Sequence, residues 1–411
     1  MATKGTQRTT DHQSTASKTE QRPAPSDGLL VDRESDIEPA LSVVMPTLNE
    51  EEGIAECIER IENGIEEIGI TTEIIISDSS TDRTPEIARE MGARVVEPDE
   101  PGYGYAYQYA FERTRGDYIA IGDADTTYDF EDLPRLLKPV VHGEVDMVMG
   151  SRLDGEIMPG AMPKLHQYIG NPLLTKFLNV FYGAGVSDAH SGFRVLSKEA
   201  LETLDCTTTG MEFASEMIME AGAKNLTIEE VPITYHEREG DATLESFRDG
   251  WRHVRFMLEN APGYLFSVPA MGLFTIGLLT MGLSLTNISV GGVTFGSYTM
   301  IAGSLCTIAS YQLGSLAIFS AVAADPIREP QDPLTTWVLD RFKLEHGALL
   351  GLLVFGAGAL HTGYLMYNWV TSGFTQLPVI ATNLVPFTAL VLGIQTVSYS
   401  FFLSIIASRS E

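Results

Sequence analysis

The stretch YIAIGDADTTYDF, residues 118–130, decides the fold. Its first half is an apolar run of strand length, which breaks at Gly122 into three carboxylates, Asp123, Asp125 and Asp129. On either side of it, strand and helix patterns alternate. LSVVMP (41–46) is a short apolar run, and Ile54, Ile58, Ile61, Ile65 and Ile68 then recur at helical steps, predicting a helix from Glu50 to about Ile68. EIIISD (73–78) reads as a second strand, and Thr84-Pro85 supply the cap and first-turn proline of a second helix. RVVE (94–97), a helix near 104–114, the strand over 117–123, a helix near 131–141 and the strand VDMVMG (145–150) continue the series. Repeated βα units predict a Rossmann-like, mostly parallel sheet with helices on both faces. Ligands of such sheets bind beyond the carboxyl ends of the strands. Asp78, Asp123 and Asp125 are therefore expected at one edge.

The chain has 411 residues, enough for two or more domains, and its 55 acids against 27 bases leave a net charge of −28. That balance argues against a general nucleic-acid binder, which carries a basic face. It suits a salt-rich cytosol such as a haloarchaeon's, where ions screen self-repulsion within a few ångströms. Because acids are common here, an acid cluster alone reads equally well as a solvated loop. Cys57, Cys206 and Cys306 are far apart and show no C-x-x-C spacing, which speaks against a disulfide framework or a zinc site. Residues 1–37 are polar and lack the apolar stretch of a signal peptide, so they are expected to be a disordered tail.

Near residue 263 the composition changes. Four apolar stretches follow, about 264–286, 296–323, 347–371 and 379–407, each long enough to span a bilayer. The linkers TNISVGG and TSGFTQLP carry no Lys or Arg, whereas the 324–346 loop carries Arg328, Arg341 and Lys343, and Arg409 follows the last stretch. The positive-inside rule then predicts a multi-pass protein of the cell membrane, with the charged loop, both termini and the catalytic part cytoplasmic. Just before the spans, LESFRDGWRHVRFMLEN (244–260) aligns Leu244, Phe247, Trp251, Val254 and Leu258 beside an arginine stripe of Arg248, Arg252 and Arg255. This predicts a helix lying in the membrane interface, or one packed on its own domain.

A D-x-D pair leaving a strand can meet a hard divalent cation, which bridges such carboxylates to nucleotide phosphates. Further motifs follow in order: PTLNE (46–50), SDSSTDRT (77–84), GDAD (122–125), GSR (150–152), SGFR (191–194) and EEVPITYHEREG (229–240). Together they resemble the family 2 glycosyltransferases, specifically the dolichyl-phosphate hexose synthases, over about residues 41–260. The resemblance implies a GT-A catalytic domain (38–243), an amphipathic interface helix (244–262) and an all-α domain of four transmembrane helices (263–411). The activity it implies is inverting transfer of a hexose from a UDP- or GDP-sugar to dolichyl or polyprenyl phosphate, with Mg2+ or Mn2+ as cofactor.

The same resemblance assigns residues. Pro46, Thr47, Asn49, Glu50, Asp78, Ser80 and Asp123 are expected to hold the nucleotide-sugar. Asp123 and Asp125 are expected on the metal, and Arg152, Arg194 and Arg238 at the acceptor phosphate, with Ser191, His166 and Asn171 beside them. Asn171-Pro172 reads as a helix start whose free N–H groups favour an anion. Two departures stand out. Thr127 replaces a glutamine that helps the metal in the family, and Ala242 and Thr243 replace a serine and a lysine, a loss that His166, Arg248 or Arg252 would have to offset.

The chemistry needs no general base, because a lipid phosphate is largely a dianion near neutral pH. What the site must supply is electrostatic stabilisation of the departing diphosphate. Competing readings are a glycosyltransferase extending a lipid-linked or surface polysaccharide and a non-catalytic lipid-carrier or scaffold protein. The Q-x-x-R-W motif of processive synthases is absent from the sequence. The loss at Thr243 favours the scaffold, and the intact acid and SGFR motifs favour the enzyme. The expected partners are the donor, the polyprenyl phosphate and membrane lipids. The four spans would hold the lipid tail, move product across the bilayer, or bind partner helices, including those of a second copy.

Overall fold

The computed structural model describes residues 28–410 apart from 33–34, 36, 240–245, 261, 287–288, 291–292, 324–336, 338–343 and 376–379. Ala242, Thr243 and Leu244, and the loop cations Arg328, Arg341 and Lys343, lie outside the described residues. The catalytic part is a seven-stranded sheet in the order β3-β2-β1-β4-β6-β5-β7. Its strands are β1 (Leu41–Thr47), β2 (Thr72–Asp78), β3 (Arg94–Val96), β4 (Tyr118–Ile121), β5 (Met147–Ile157), β6 (Arg194–Ser197) and β7 (Ile228–Tyr235). All pair in parallel except β6, which runs antiparallel to both β4 and β5. This is the mostly parallel α/β architecture of a GT-A domain.

The helices cover both faces because the strands are apolar on both. Val43 and Met45 of β1 face one core with α1 (Ile54–Ile68) and α4 (Leu133–Val141), and Val44 faces the other with α3 (Tyr103–Phe111), α5 (Asn171–Tyr182) and α7 (Phe213–Ala223). On α1 the periodic isoleucines Ile54, Ile58, Ile61 and Ile65 are fully buried. Each such side chain contributes about 1.5–3 kcal/mol of hydrophobic stabilisation. Helix α1 ends at Gly69, whose φ of 71° makes a left-handed cap. Short helices α2 (Thr84–Glu90) and α6 (Lys198–Thr203) complete this part.

Register brings the motifs together. Thr47 pairs with Asp78 and Val44 with Ile121, so β1, β2 and β4 release their acidic ends at one edge. The antiparallel β6 begins where they end: Arg194 lies opposite both Ile121 and Met149. SGFR is thereby delivered to the same edge from the opposite chain direction.

Helix α8 (Ser246–Glu259) leads to the four long helices α9 (Pro262–Thr286), α10 (Ser297–Ala323), α11 (Leu344–Thr371) and α12 (Ile380–Ser410). Each of the four is long and apolar enough to cross a membrane. A two-residue ribbon, β8 (Ser289–Val290) with β9 (Val293–Thr294), stands between α9 and α10, a small addition to the all-α domain expected. The helices approach closely at small residues. A Cβ at Gly277 would meet Thr307 Oγ1 at 2.4 Å, and one at Gly393 would meet the Phe355 backbone nitrogen at 2.4 Å. Small residues of this kind let membrane helices pack without a hydrophobic driving force. The Ser304 and Thr388 hydroxyls join α10 to α12 at 2.6 Å.

Helix α8 departs from the expected apolar face. It is anchored on the catalytic part through Met257, which is fully buried, with Phe256 packed alongside. Arg252 pairs with Glu212 at 3.3 Å and Arg255 with Glu259 at 2.7 Å, while Trp251 remains 60% exposed. The arginine stripe is thus partly spent on local acids.

Candidate active site

The loops after β1 and β2 are stitched together before any ligand is considered. The Thr47 hydroxyl donates to Asp78 Oδ1 at 2.7 Å. The Asn49 N–H donates to Ser80 Oγ at 2.7 Å, and Asn49 Oδ1 accepts the Thr81 N–H at 2.9 Å. The Glu50 N–H donates to the Thr84 hydroxyl at 2.9 Å. Asn49 has a φ of 60°, a left-handed geometry that asparagine tolerates better than most residues. Pro46 lies on β1 opposite Ser77, just inside this edge. Glu50 and Asp78 thus stand on a fixed pair of strand ends and loops, which Asn49 and Ser80 help to build.

The D-A-D turn faces these loops. Asp125 Oδ1 accepts from the Thr127 hydroxyl at 2.5 Å and from the Thr127 N–H at 3.2 Å. Thr127 therefore caps the metal-type aspartate from behind, a role different from that of the family's glutamine. Asp123 Oδ1 accepts the Tyr103 hydroxyl at 2.8 Å. Its other oxygen lies against Gly192, where a Cβ would stand 2.9 Å away. The glycine of SGFR is needed for this close approach, and its N–H is held by the Tyr128 hydroxyl oxygen at 2.7 Å.

Arg238 ties the edge together. Leaving β7, it reaches Glu50 Oε1 at 2.5 Å and Asp125 Oδ2 at 3.2 Å, and its Nε is buried with no partner among the described residues. Segment 236–239 lies on the D-A-D turn through His236 N–H to Thr127 O at 2.9 Å and Glu239 N–H to Asp125 O at 3.3 Å. Burial raises the Glu50 carboxyl to about 7, opposed by Arg238 and reinforced by Asp125 and Asp123. Burial and the charge of Asp125 raise Asp123 to about 6, against the Tyr103 hydroxyl, Arg152 and Arg238. Perturbed carboxyls gathered at one sheet edge mark a functional site.

Two arginines expected at the acceptor phosphate are buried against protein partners. Arg152 is 7% exposed and makes a bidentate pair with Asp188, Nε to Oδ2 at 2.7 Å and Nη2 to Oδ1 at 2.9 Å. Arg194 is 1% exposed and donates to the carbonyls of Ser191, Ala189 and Ala214 at 3.0, 3.2 and 2.9 Å. Burial lowers its pKa. Arg194 clamps the SGFR loop, with its Nη1 buried and without a partner among the described residues, and the charge of Arg152 opposes the burial that raises the Asp123 pKa. The Ser191 hydroxyl, in that loop, is buried without a partner among the described residues.

His166 and Asn171 lie on another element. A π-helical turn, His166–Gly170, runs straight into α5, so the Asn171 N–H donates to His166 O instead of being free for an anion. The Asn171 amide donates only to Met162 Sδ, at 3.4 Å. Neither residue bonds to the carboxylates among the described residues.

Three supporting residues escaped the sequence reading. Glu230 accepts the Ser187 N–H at 2.5 Å and the Asp188 N–H at 3.0 Å, and Asp188 in turn holds Arg152. Glu230 lies inside a quoted motif and Asp188 three residues before SGFR, and the cue was a buried arginine that required a carboxylate. Tyr103 carries the third signal, a glycine on each side.

Asp188→Ala strands the buried guanidinium of Arg152 and is expected to cost about 3–5 kcal/mol. Replacing both partners, with Asp188→Leu and Arg152→Met, should cost much less. Denaturant unfolding of the purified chain checks both, and equal losses would contradict the pairing.

Comparison with known proteins agrees with this geometry. Residues 42–205 match the family described as glycosyl transferase family 2, and residues 316–407 match the glycosyltransferase family 2 C-terminal transmembrane region. The chain is 62% identical, over 92% of its length and 91% of the relative's, to the low-salt glycan biosynthesis hexosyltransferase Agl6 of Haloferax volcanii. It is 37% identical to a dolichyl-phosphate hexose transferase of the same organism, over 51% of this chain and 89% of that one. It is 28% identical to the dolichol-phosphate mannosyltransferase of Pyrococcus furiosus, over 50% and 59% of the two chains. Haloarchaeal relatives are consistent with the acidic composition. With an acid-rich sheet edge, the ordered motifs and a relative matched along nearly its whole length, the chain belongs to glycosyl transferase family 2 and is a glycosyltransferase.

Proposed function

We propose that the enzyme moves a hexose from a UDP- or GDP-sugar to the phosphate of dolichol or another polyprenol, with inversion at the sugar, on the cytoplasmic side of the cell membrane. The observation that carries this reading is the pairing of Asp125 with the Arg238 guanidinium, with Asp123 under the same charge, at one edge of the sheet. Two carboxylates there suit a divalent cation and the donor diphosphate, and the adjacent guanidinium fork suits a second phosphate. The names of the two lipid-linked relatives support the acceptor class.

The donor set fits Mg2+ or Mn2+, which take oxygen ligands and complete their shells with substrate phosphate and water. Among the described residues no group of three or more His, Cys, Asp or Glu is arranged to hold a metal. With two carboxylates, the rest of the cation's shell would come from the donor diphosphate and water. When bound at Asp123 and Asp125, it supplies neutralisation of the leaving diphosphate. The chain's own residues do the rest. Asp78, Glu50 and the stitched loops around Thr47, Asn49 and Ser80 orient base and ribose, and Arg238 draws in the acceptor phosphate. That phosphate attacks as a dianion, so no side chain need take a proton.

The acceptor's membrane requires a membrane-facing surface beside the site. Leu165, Tyr168, Ile169, Leu173 and Val180 are exposed at helical spacing along the π-turn and α5, with Lys164 and Lys176 exposed on the same segment. An apolar stripe of this kind, rimmed by cations in an acidic chain, suits a bilayer surface. It would bring His166 and Asn171 close to the lipid headgroups.

Two outcomes are expected. Asp125→Asn removes one preorganised electrostatic partner and should lower turnover on the order of 100- to 1,000-fold, and excess chelator should abolish it in the wild type; full turnover in chelator would sink the metal reading. Separately, in a variant without native cysteines, Arg341→Cys should react with an impermeant thiol reagent only after the cells are opened. Labelling in intact cells would reverse the orientation.

A further inference from the structure

We infer that Tyr103 is a positioning residue of the transfer reaction, orienting the Asp123 carboxylate for its ligand; this rests on the metal reading above. Tyr103 is fixed from several sides. Gly102 before it has a φ of 145°, and a Cβ there would stand 2.3 Å from Thr209 O. At Gly104 a Cβ would stand 2.3 Å from Thr208 O and 2.8 Å from Phe213 Cβ. Only a G-Y-G run can lie this close to residues 207–209. That segment is pinned by buried Glu216, whose carboxylate accepts from Thr207 N–H and hydroxyl at 2.9 and 3.1 Å and from Thr208 N–H and hydroxyl at 2.9 and 2.5 Å.

The ring is held as firmly as the backbone. It meets Tyr107 edge-on at 5.1 Å, and Tyr107 stacks on Phe213 at 5.4 Å. With ring and backbone fixed, the phenol oxygen stands 2.8 Å from Asp123 Oδ1.

The carboxylate is thereby divided between two duties. Oδ1 is occupied by the phenol, and Oδ2 faces Gly192, which covers it with no side chain. Without the hydroxyl, Asp123 would be free to rotate beside the like charge of Asp125. Hydrogen bonds that orient ligating groups are typically worth about 10- to 100-fold in metal affinity.

The test uses the purified full chain and Mn2+, titrated at saturating UDP and separately at saturating GDP, with protein-bound Mn2+ read from its broadened EPR spectrum. Tyr103→Phe keeps the stacked ring and should weaken Mn2+ binding about tenfold or more. Tyr105→Phe, whose hydroxyl bonds to Asp99 and not to Asp123, should leave Mn2+ binding unchanged. In an Asp123→Asn background Tyr103→Phe should have no further effect. Unchanged Mn2+ affinity in Tyr103→Phe, or an equal loss in Tyr105→Phe, overturns the inference. A wild type that takes up no Mn2+ with either nucleotide overturns the metal reading beneath it.

Discussion

Like charge crowded at one sheet edge is the constraint around which this catalytic domain is arranged. Glu50, Asp123 and Asp125 leave or follow neighbouring strands, and burial together with mutual repulsion pushes Glu50 to about 7 and Asp123 to about 6. Desolvated carboxylates this close persist only if cations or donors meet them. Arg238 meets two of them, the Tyr103 hydroxyl meets the third, and Thr127 caps Asp125 from behind. The antiparallel entry of β6 serves the same edge by laying Gly192 against Asp123.

Much of this was legible before the structure. The isoleucine spacing of α1, the strand before each acid and the four apolar spans depend on periodicity and composition, which are local properties of the chain. The D-A-D turn and the P-x-x-N-E loop could be placed at one edge because parallel strands share a direction. What could not be read is which charges cancel inside the fold. Arg152 and Arg194 look like phosphate ligands in sequence, since a guanidinium is equally suited to a carboxylate or a carbonyl. Only tertiary pairing shows that Asp188 takes the first and three backbone carbonyls the second. The same holds for Asn171, where a π-turn extends the helix backwards and satisfies an N–H that appeared free.

The two halves of the chain meet through α8, which buries Met257 in the catalytic core and runs on toward α9. This ties the site to the membrane helices over a short stretch of chain. In the proposed function a water-soluble donor enters at the sheet edge, and a lipid phosphate approaches from the side of the exposed α5 stripe. In that reading Arg238, paired with Glu50 and Asp125, is a cation at the acidic edge through which donor and acceptor would sense each other.

The central claim is that the acceptor is a lipid phosphate attacked directly at the sugar. Mass spectrometry of lipids after incubating the purified enzyme with polyprenyl phosphate and a panel of UDP- and GDP-sugars tests it most directly. The account predicts one new lipid, the polyprenyl phosphate carrying one hexose, with anomeric configuration opposite to that of the donor. Transfer only to a sugar hydroxyl, or a product that retains the donor's configuration, would contradict it.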